Sequence, residues 1–161
     1  MFENILVSAG GVRIFYVARG RAYAVVLCLI LTPLPALADA AYGDIVVHAS
    51  GYTHERGQAI GSLFRDGDDV FGTPYVRVTA PIHQGKASLV FPNVKPGNYA
   101  LITFHDENNN NDLDHNFLHL PAEPLGFSNG FKLSAFSGMP SFEKLRFAFT
   151  LDSKPLEISV K

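Results

Sequence analysis

A run of carboxylate and amide side chains between residues 106 and 114 has the spacing of a calcium-binding loop. In Asp-Glu-Asn-Asn-Asn-Asn-Asp-Leu-Asp, loop positions 1, 3, 5 and 9 carry side-chain oxygens, namely Asp106, Asn108, Asn110 and Asp114. Ca²⁺ takes about six to eight oxygen ligands, and a tightly coiled loop turns alternate side chains inward. Asp112, at position 7, would contribute its backbone carbonyl. The spacing therefore predicts a calcium cofactor held by these five residues.

Two positions of this loop depart from the EF-hand pattern. Asn111 stands where glycine is usual, but asparagine tolerates the left-handed backbone region. Phe117 stands at position 12, where an EF-hand has a bidentate glutamate, so the last ligand must come from elsewhere, and Glu123 is the candidate. The alternative is that the Asn and Asp side chains form Asx turns in a solvated loop that needs no metal.

The segment Gly-Phe-Ser-Asn-Gly at 126 to 130 matches the G-x-S-x-G pattern of a serine hydrolase. A nucleophile elbow needs a strand before it, a helix after it, and Asp and His downstream. Here a loop precedes, no helix is predicted to follow, and no histidine follows residue 119. We therefore expect no enzyme: Ser128 and Asn129 bond local backbone, Phe127 fills the core edge, and the two glycines allow tight turns. Together with Glu123, these three side chains are also the candidate ligand or partner surface.

Histidines and phenylalanines crowd the same part of the chain. His105, His115 and His119 flank the acidic loop, and three imidazoles with a carboxylate would suit zinc or copper. Because His105 ends a predicted strand while the other two lie in an irregular loop, three unrelated surface histidines are the default interpretation. The phenylalanines are predicted to anchor the segment to the fold, or to form a sugar- or peptide-binding platform. They are Phe117, Phe127, Phe131, Phe136 and Phe142.

Apolar residues recur with a period of two, which predicts half-buried strands and an all-β fold. Seven strands are expected, as in an antiparallel β-sandwich of the immunoglobulin-like or transthyretin-like kind. They span residues 43 to 50, 58 to 65, 75 to 80, 86 to 91, 98 to 105, 145 to 151 and 156 to 161. Pro96 and Gly97 predict a type II turn that joins the fourth and fifth strands as a hairpin. The long segment 106 to 144 is expected to be a loop.

The first 38 residues have the organisation of a cleaved export signal. Arg13, Arg19 and Arg21 precede an uncharged apolar run from 22 to 31, and Ala-Leu-Ala at 36 to 38 forms an A-x-A cleavage site. A run of ten residues is short of the roughly 20 that span a bilayer, so no stable membrane span is expected after cleavage. The prediction is a single mature domain, 39 to 161, in the periplasm or outside the cell.

Charge and cysteine content restrict the classes of function for this mature domain. Three of the 13 Lys and Arg residues and one of the 15 Asp and Glu residues precede residue 39, which leaves a net charge of −4. An acidic domain without a basic patch is unsuited to nucleic acid. The one cysteine, Cys28, lies in the signal, so the domain has no disulfide or metal thiolate. The expected partners are a cell-envelope protein, through an exposed strand edge, or a carbohydrate.

Several motifs together resemble a known bacterial family. They are Phe-His-Asp-Glu-Asn-x-Asn-x-x-Leu-Asp-x-Asn-Phe at 104 to 117, Pro-x-Glu-Pro-x-Gly-Phe-Ser-Asn at 121 to 129, and Pro-Ser-Phe-Glu at 140 to 143. In these the chain resembles the family called domain of unknown function 2141. The resemblance implies a small secreted or periplasmic β-sandwich of unassigned function, with no established catalytic residues. The chain departs from the family at Asn109 and Asn111, where glycines are usual, and at His119.

Overall fold

The computed structural model describes residues 41–118, 120–134 and 136–161, together with the backbone of three strands nearer the N-terminus. These three strands are β1 (Ile5–Ala9), β2 (Val12–Arg19) and β3 (Ala22–Val26), which pair in an antiparallel sheet. They belong to a compact unit, Met1–Asp39, that is separate from the unit Ala40–Lys161. These residues belong to the segment predicted to be a cleaved signal, and the predicted cleavage site at 36 to 38 lies outside the described residues.

The second unit is an all-β sandwich, as predicted. Its strands are β4 (Gly43–Ser50), β5 (Gln58–Arg65), β6 (Val76–Ala80), β7 (Lys86–Val94), β8 (Gly97–Asp106), β9 (Leu125–Phe127), β10 (Phe147–Phe149) and β11 (Leu156–Ser159). One sheet has the order β10-β8-β5-β6, with β9 also paired to β8, and the other has the order β11-β4-β7. In the described residues, no helix is long and apolar enough to cross a membrane.

The main core lies between the two sheets and follows the period-two pattern. Alternate residues of β7 are buried, and Phe91 is fully enclosed. The core residues from β4, β5, β7 and β8 include Ile45, Val47, Leu63, Leu89, Phe91, Tyr99 and Leu101. Burial of such side chains contributes about 1.5 to 3 kcal/mol each, which makes this layer the main source of stability.

A second cluster covers the outer face of the larger sheet, and the long segment supplies much of it. Phe64 of β5 and Ala100 of β8 pack there against Val70, Phe127 and Leu145. Strand β5 is therefore buried on both faces, with only its ends accessible. Leu145 ends a one-turn helix, α1 (Phe142–Leu145), so the strand expected over 145 to 151 shortens to β10.

The predicted hairpin between β7 and β8 is wrong. The two strands belong to different sheets, so their connection crosses from one layer of the sandwich to the other. Asn93 has the positive φ of this region, at 55°, whereas Gly97 is already part of β8. The long segment from 106 to 144, which the sequence describes as a loop, contains short elements of its own, namely β9, a 3₁₀ turn (Ser128–Gly130) and most of α1.

Truncation of Phe91 tests the core. We expect Phe91→Ala to lower the free energy of unfolding by about 3 to 5 kcal/mol, because it leaves a cavity between the sheets. The neighbouring residue Val90 points outward and is 43% exposed, so Val90→Ala is a matched control with an effect within about 0.5 kcal/mol. Urea unfolding curves measure both changes, and equal midpoints for the two variants would contradict this account of the core.

Candidate functional site

The predicted calcium loop begins where β8 ends, and the Asp106 carboxylate organises it. This side chain is fully buried. Its Oδ2 accepts hydrogen bonds from the Gln58 side chain at 2.8 Å and from the backbone N–H of Asn111 at 3.0 Å, and its Oδ1 accepts one from the N–H of Asn110 at 3.1 Å. A buried carboxylate is stable only when hydrogen-bond donors replace the water that it has lost, and here three donors do so. The loop therefore wraps around the first residue of the motif.

The ionised form of Asp106 is favoured by its surroundings. Burial alone would raise the pKa of this carboxyl group, because a charge loses solvation inside the protein. The hydrogen bonds from the Gln58 side chain and from three backbone N–H groups of the loop outweigh that effect, so the pKa lies below its ordinary value.

Asn109 and Asn111 both have positive φ, at 60° and 65°, as the tolerance of asparagine for the left-handed backbone region predicts.

Three other side chains of the motif converge on one point. The side-chain amides of Asn108 and Asn110 donate to the two oxygens of Asp114, at 2.8 and 3.0 Å. The amide oxygens accept from the backbone N–H two residues later, as in Asx turns. Three of the predicted ligands, Asn108, Asn110 and Asp114, are thus brought together, whereas the Asp106 carboxylate faces Gln58 and the loop backbone. The hydrogen bonds of the metal-free alternative are also present.

Asp112 and Glu123 have different parts in this loop. The side chain of Asp112 is exposed, and its backbone N–H donates to the Asn110 side chain at 2.7 Å. The Glu123 carboxylate is buried and accepts from the backbone N–H groups of Glu107, at 2.9 Å, and Asp114, at 3.2 Å. Glu123 therefore holds the two ends of the loop together from the segment that follows it.

The candidate ligand or partner surface is mostly inside the protein. Glu123, Phe127 and Ser128 are buried, and only Asn129 is exposed. Ser128 is 2% exposed; its Oγ accepts from the Leu101 N–H at 2.9 Å and lies 2.5 Å from the Leu145 carbonyl oxygen. Asn129 donates to the Lys144 carbonyl at 3.1 Å. Ser128 and Asn129 thus form hydrogen bonds with nearby backbone groups, as predicted for a G-x-S-x-G segment that is not a nucleophile elbow.

Gly126 allows close packing and not the tight turn that the sequence suggests. It lies in β9, and a Cβ there would come within 2.7 Å of the Ile158 side chain of β11. The Leu125 N–H and C=O also exchange hydrogen bonds with Lys161, both at 3.0 Å. The segment is thus held against the C-terminal strand where the two sheets approach each other.

The aromatic side chains of the long segment divide into two groups. Phe127, Phe131 and Phe142 pack in or against the outer cluster, as expected for anchors. Phe117 and Phe136 are 90% and 101% exposed, so the prediction that they anchor the segment is wrong. Other large apolar residues of the segment are exposed as well, namely Leu118, Leu120, Leu133 and Met139.

The alternative grouping of His105 with His115 is not seen in the described residues, but His105 is not the surface histidine of the default interpretation either. His105 is buried at the end of β8, whereas His115 is exposed and forms a β-bridge with Pro121. His119 lies outside the described residues. The histidine that does meet His105 is His54, with ring centroids 4.6 Å apart. The sequence analysis missed this residue because it lies 51 positions earlier, in the connection between β4 and β5.

Substitution of Asp106 should reveal the role of its charge. We expect Asp106→Asn to lose at least about 2 kcal/mol of stability at pH 7, because an amide cannot accept all of the same hydrogen bonds. The pKa of Asp106 is lower in the folded protein than in the unfolded chain, where it is near 4. The ionised carboxylate therefore stabilises the fold above about pH 4, and this stabilisation is lost as the pH falls through the folded-state pKa. The difference between parent and variant should therefore shrink below about pH 4, as measured by urea unfolding at several pH values.

Removal of the Ser128 hydroxyl tests whether it is structural. Ser128→Ala leaves the Leu101 N–H and the Leu145 carbonyl without a buried partner, so we expect a loss of about 1 to 3 kcal/mol in unfolding free energy. The exposed Ser134 offers a control, and Ser134→Ala should change stability by less than about 0.5 kcal/mol. Ester turnover that the parent has and Ser128→Ala lacks would contradict this assignment.

Comparison with known proteins identifies the family. A family model described as an uncharacterized protein conserved in bacteria (DUF2141) matches residues 47–158. Comparison with curated proteins gives no match. Comparison with solved structures also gives none. The matched range runs from within β4 to within β11 and includes the whole Asp106 loop. The chain therefore belongs to the DUF2141 family, as the resemblance of its motifs predicts.

Proposed function

We propose that this protein is an exported, non-enzymatic β-sandwich module whose Asp106 loop binds calcium and positions a partner-binding segment. One observation carries the calcium part. The side-chain N–H groups of Asn108 and Asn110 donate hydrogen bonds to the Asp114 carboxylate at 2.8 and 3.0 Å, in the loop that Asp106 organises. Rotation of the two amides would turn their oxygens toward the same point, and neighbouring oxygens around Ca²⁺ are about 3 Å apart.

The cost of this rotation sets the expected affinity. Each amide oxygen already accepts a backbone hydrogen bond, at 3.0 Å for Asn108 and 2.7 Å for Asn110, and calcium must replace those bonds. Glu123 is likewise occupied by backbone donors, so a full EF-hand ligand set does not form without rearrangement. We therefore propose weak binding, in the range of about 10⁻⁴ to 10⁻³ M that suits extracellular modules.

The exposed apolar side chains support the partner-binding part of the proposal. They form two groups beyond the loop, with Phe117, Leu118 and Leu120 before β9 and Leu133, Phe136 and Met139 after it. Exposed aliphatic and aromatic side chains at neighbouring positions are typical of protein-binding surfaces. Because Leu and Met accompany the phenylalanines, we favour a cell-envelope protein over a carbohydrate as the partner.

A second candidate function is an adhesive or structural module that uses no metal. The hydrogen bonds of Asp106 and Glu123 favour it, because they order the loop through protein donors alone. In that case the exposed apolar stretches bind the partner directly and calcium has no effect.

Thermal unfolding with and without calcium distinguishes the two functions. We expect about 5 mM Ca²⁺ to raise the melting temperature of the purified protein above its value in excess EDTA. Ligand binding to the folded state adds about 2.7 kcal/mol at 100 times the dissociation constant, and less at weaker saturation. Asp114→Asn should abolish the calcium-dependent increase, because this carboxylate is the point on which the amides converge.

Asp112→Asn is the matched control, since it removes the same charge from the same loop but keeps the backbone carbonyl at position 7. Its response to calcium should equal that of the parent. Superimposable curves for the parent in EDTA and in calcium would reject the calcium proposal and leave the metal-free module.

A further inference from the structure

A cluster of metal-ligating side chains lies next to the Asp106 loop but uses none of its proposed calcium ligands. His54 comes from the connection between β4 and β5, His105 from the end of β8, and Glu107 from the residue after β8. Their potential ligand atoms all lie within 4.8 Å of one another. The Nε2 of His54 is 3.3 Å from the Glu107 Oε1, and the Nδ1 of His105 is 3.9 Å from the same oxygen.

The tautomer of His105 is determined by its hydrogen bond. The Nε2 lies 2.7 Å from the Arg56 carbonyl oxygen, which only accepts, so this nitrogen carries the proton and donates it. In the neutral ring the other nitrogen, Nδ1, then carries a free lone pair. A backbone carbonyl that orients a histidine in this way is the usual support for a metal-ligating imidazole.

That lone pair is buried and has no partner. His105 is 0% exposed, and its Nδ1 makes no hydrogen bond within the described residues. The Nδ1 of His54 is also buried without a partner there, but it is the Nε2 of His54 that faces Glu107, so only the His105 nitrogen bears on the site. Buried polar atoms without partners are rare in folded proteins, and an ion that is not yet accounted for is one recognised explanation. The unsatisfied nitrogen of His105 therefore points to a ligand between it and Glu107.

The geometry suits a small transition ion. With metal–ligand bonds of about 2.0 to 2.1 Å in a tetrahedron, neighbouring ligand atoms are about 3.3 Å apart. The distance from His54 Nε2 to Glu107 Oε1 already has this value. The 3.9 Å from His105 Nδ1 to Glu107 Oε1 must shorten by about 0.6 Å, and the two histidine nitrogens, which lie within 4.8 Å of each other, must also close around the ion. The second oxygen of Glu107 lies 3.7 Å from the Arg56 guanidinium, which leaves Oε1 directed toward the histidines.

We infer that His54, His105 and Glu107 form a three-ligand site for a divalent transition ion of the zinc class. Two imidazoles and one carboxylate are a donor set that Zn²⁺ accepts, with a fourth position left for another ligand. The His54 and Glu107 side chains are 34% and 36% exposed, so the fourth position opens to solvent. The site joins the connection before β5 to the end of β8.

Titration of the protein with Zn²⁺ tests this site. The untagged protein is stripped with a chelator, dialysed and titrated with ZnCl₂ by calorimetry, and Co²⁺ is added in parallel for its visible absorption. We expect one tightly bound equivalent and a Co²⁺ spectrum typical of four-coordinate geometry. His54→Gln and Glu107→Gln should each weaken Zn²⁺ binding by at least about 10-fold and remove that spectrum. Both residues are partly exposed, so these variants avoid the packing defect expected at His105.

Control variants separate this site from other histidines and from the calcium loop. His48 faces Glu157 at 3.0 Å in an exposed pair, and among the described residues these two belong to no group of three metal ligands. His115 is exposed, so His48→Gln and His115→Gln should bind Zn²⁺ like the parent. Asp114→Asn should also bind Zn²⁺ normally, so that failure of the calcium proposal leaves the zinc site standing. Absence of binding in the parent, or unchanged binding in His54→Gln and Glu107→Gln, would overturn the inference.

Discussion

The carboxylate of Asp106 is a buried negative charge, and the protein must surround it with hydrogen-bond donors for the fold to be stable. Those donors come from the loop that follows and from Gln58 at the start of β5. The requirement bends the chain sharply at the end of β8 and directs it back over β5 and β6, where the Arg77 guanidinium donates to the Asn111 carbonyl at 3.0 Å. Gly57 permits the close approach of this corner, because a Cβ there would collide with the Asp106 carbonyl. Both candidate metal sites are built on this corner.

The remaining part of the long segment completes one edge of the larger sheet. Strand β10 pairs with β8 from Gly97 to Tyr99, and β9 pairs with it from Ile102 to Phe104. Between them, on this side of β8, the backbone of Leu101 has no strand partner, and the Ser128 hydroxyl takes that place. A serine in a hydrolase-like sequence pattern is thus explained by the hydrogen-bonding needs of a sheet edge. The hydroxyl is occupied by backbone groups and closed to solvent, which argues for a role in stability.

The two candidate sites differ in how their ligand atoms are occupied. The oxygens of the Asp106 loop already have hydrogen-bond donors, so a calcium ion has to compete with existing interactions. The Nδ1 of His105 has no hydrogen-bond partner in the part of the chain that the structure describes, so a transition ion would satisfy it without such competition. Neighbouring residues of one chain, Asp106 and Glu107, point to opposite sides of the backbone here. One stabilises the loop that follows, and the other faces the connection before β5.

The sequence by itself determined the fold class, the bounds of β4 and β5, the family and the composition of the Asp106 loop. Those features depend on local periodicity, on spacing and on side-chain chemistry, and all three can be read directly from the order of the residues. Only the tertiary structure decided that β7 and β8 belong to different sheets, because Pro96 and Gly97 specify a change of direction but not the layer in which the next strand pairs. Only it decided that Glu123, Phe127 and Ser128 are buried while Phe117 and Phe136 are exposed, because burial in an irregular segment depends on the surface against which that segment packs. His54 could not be matched with His105 from the sequence, since their contact depends on the pairing of β5 with β8, which places residues 51 positions apart at one corner.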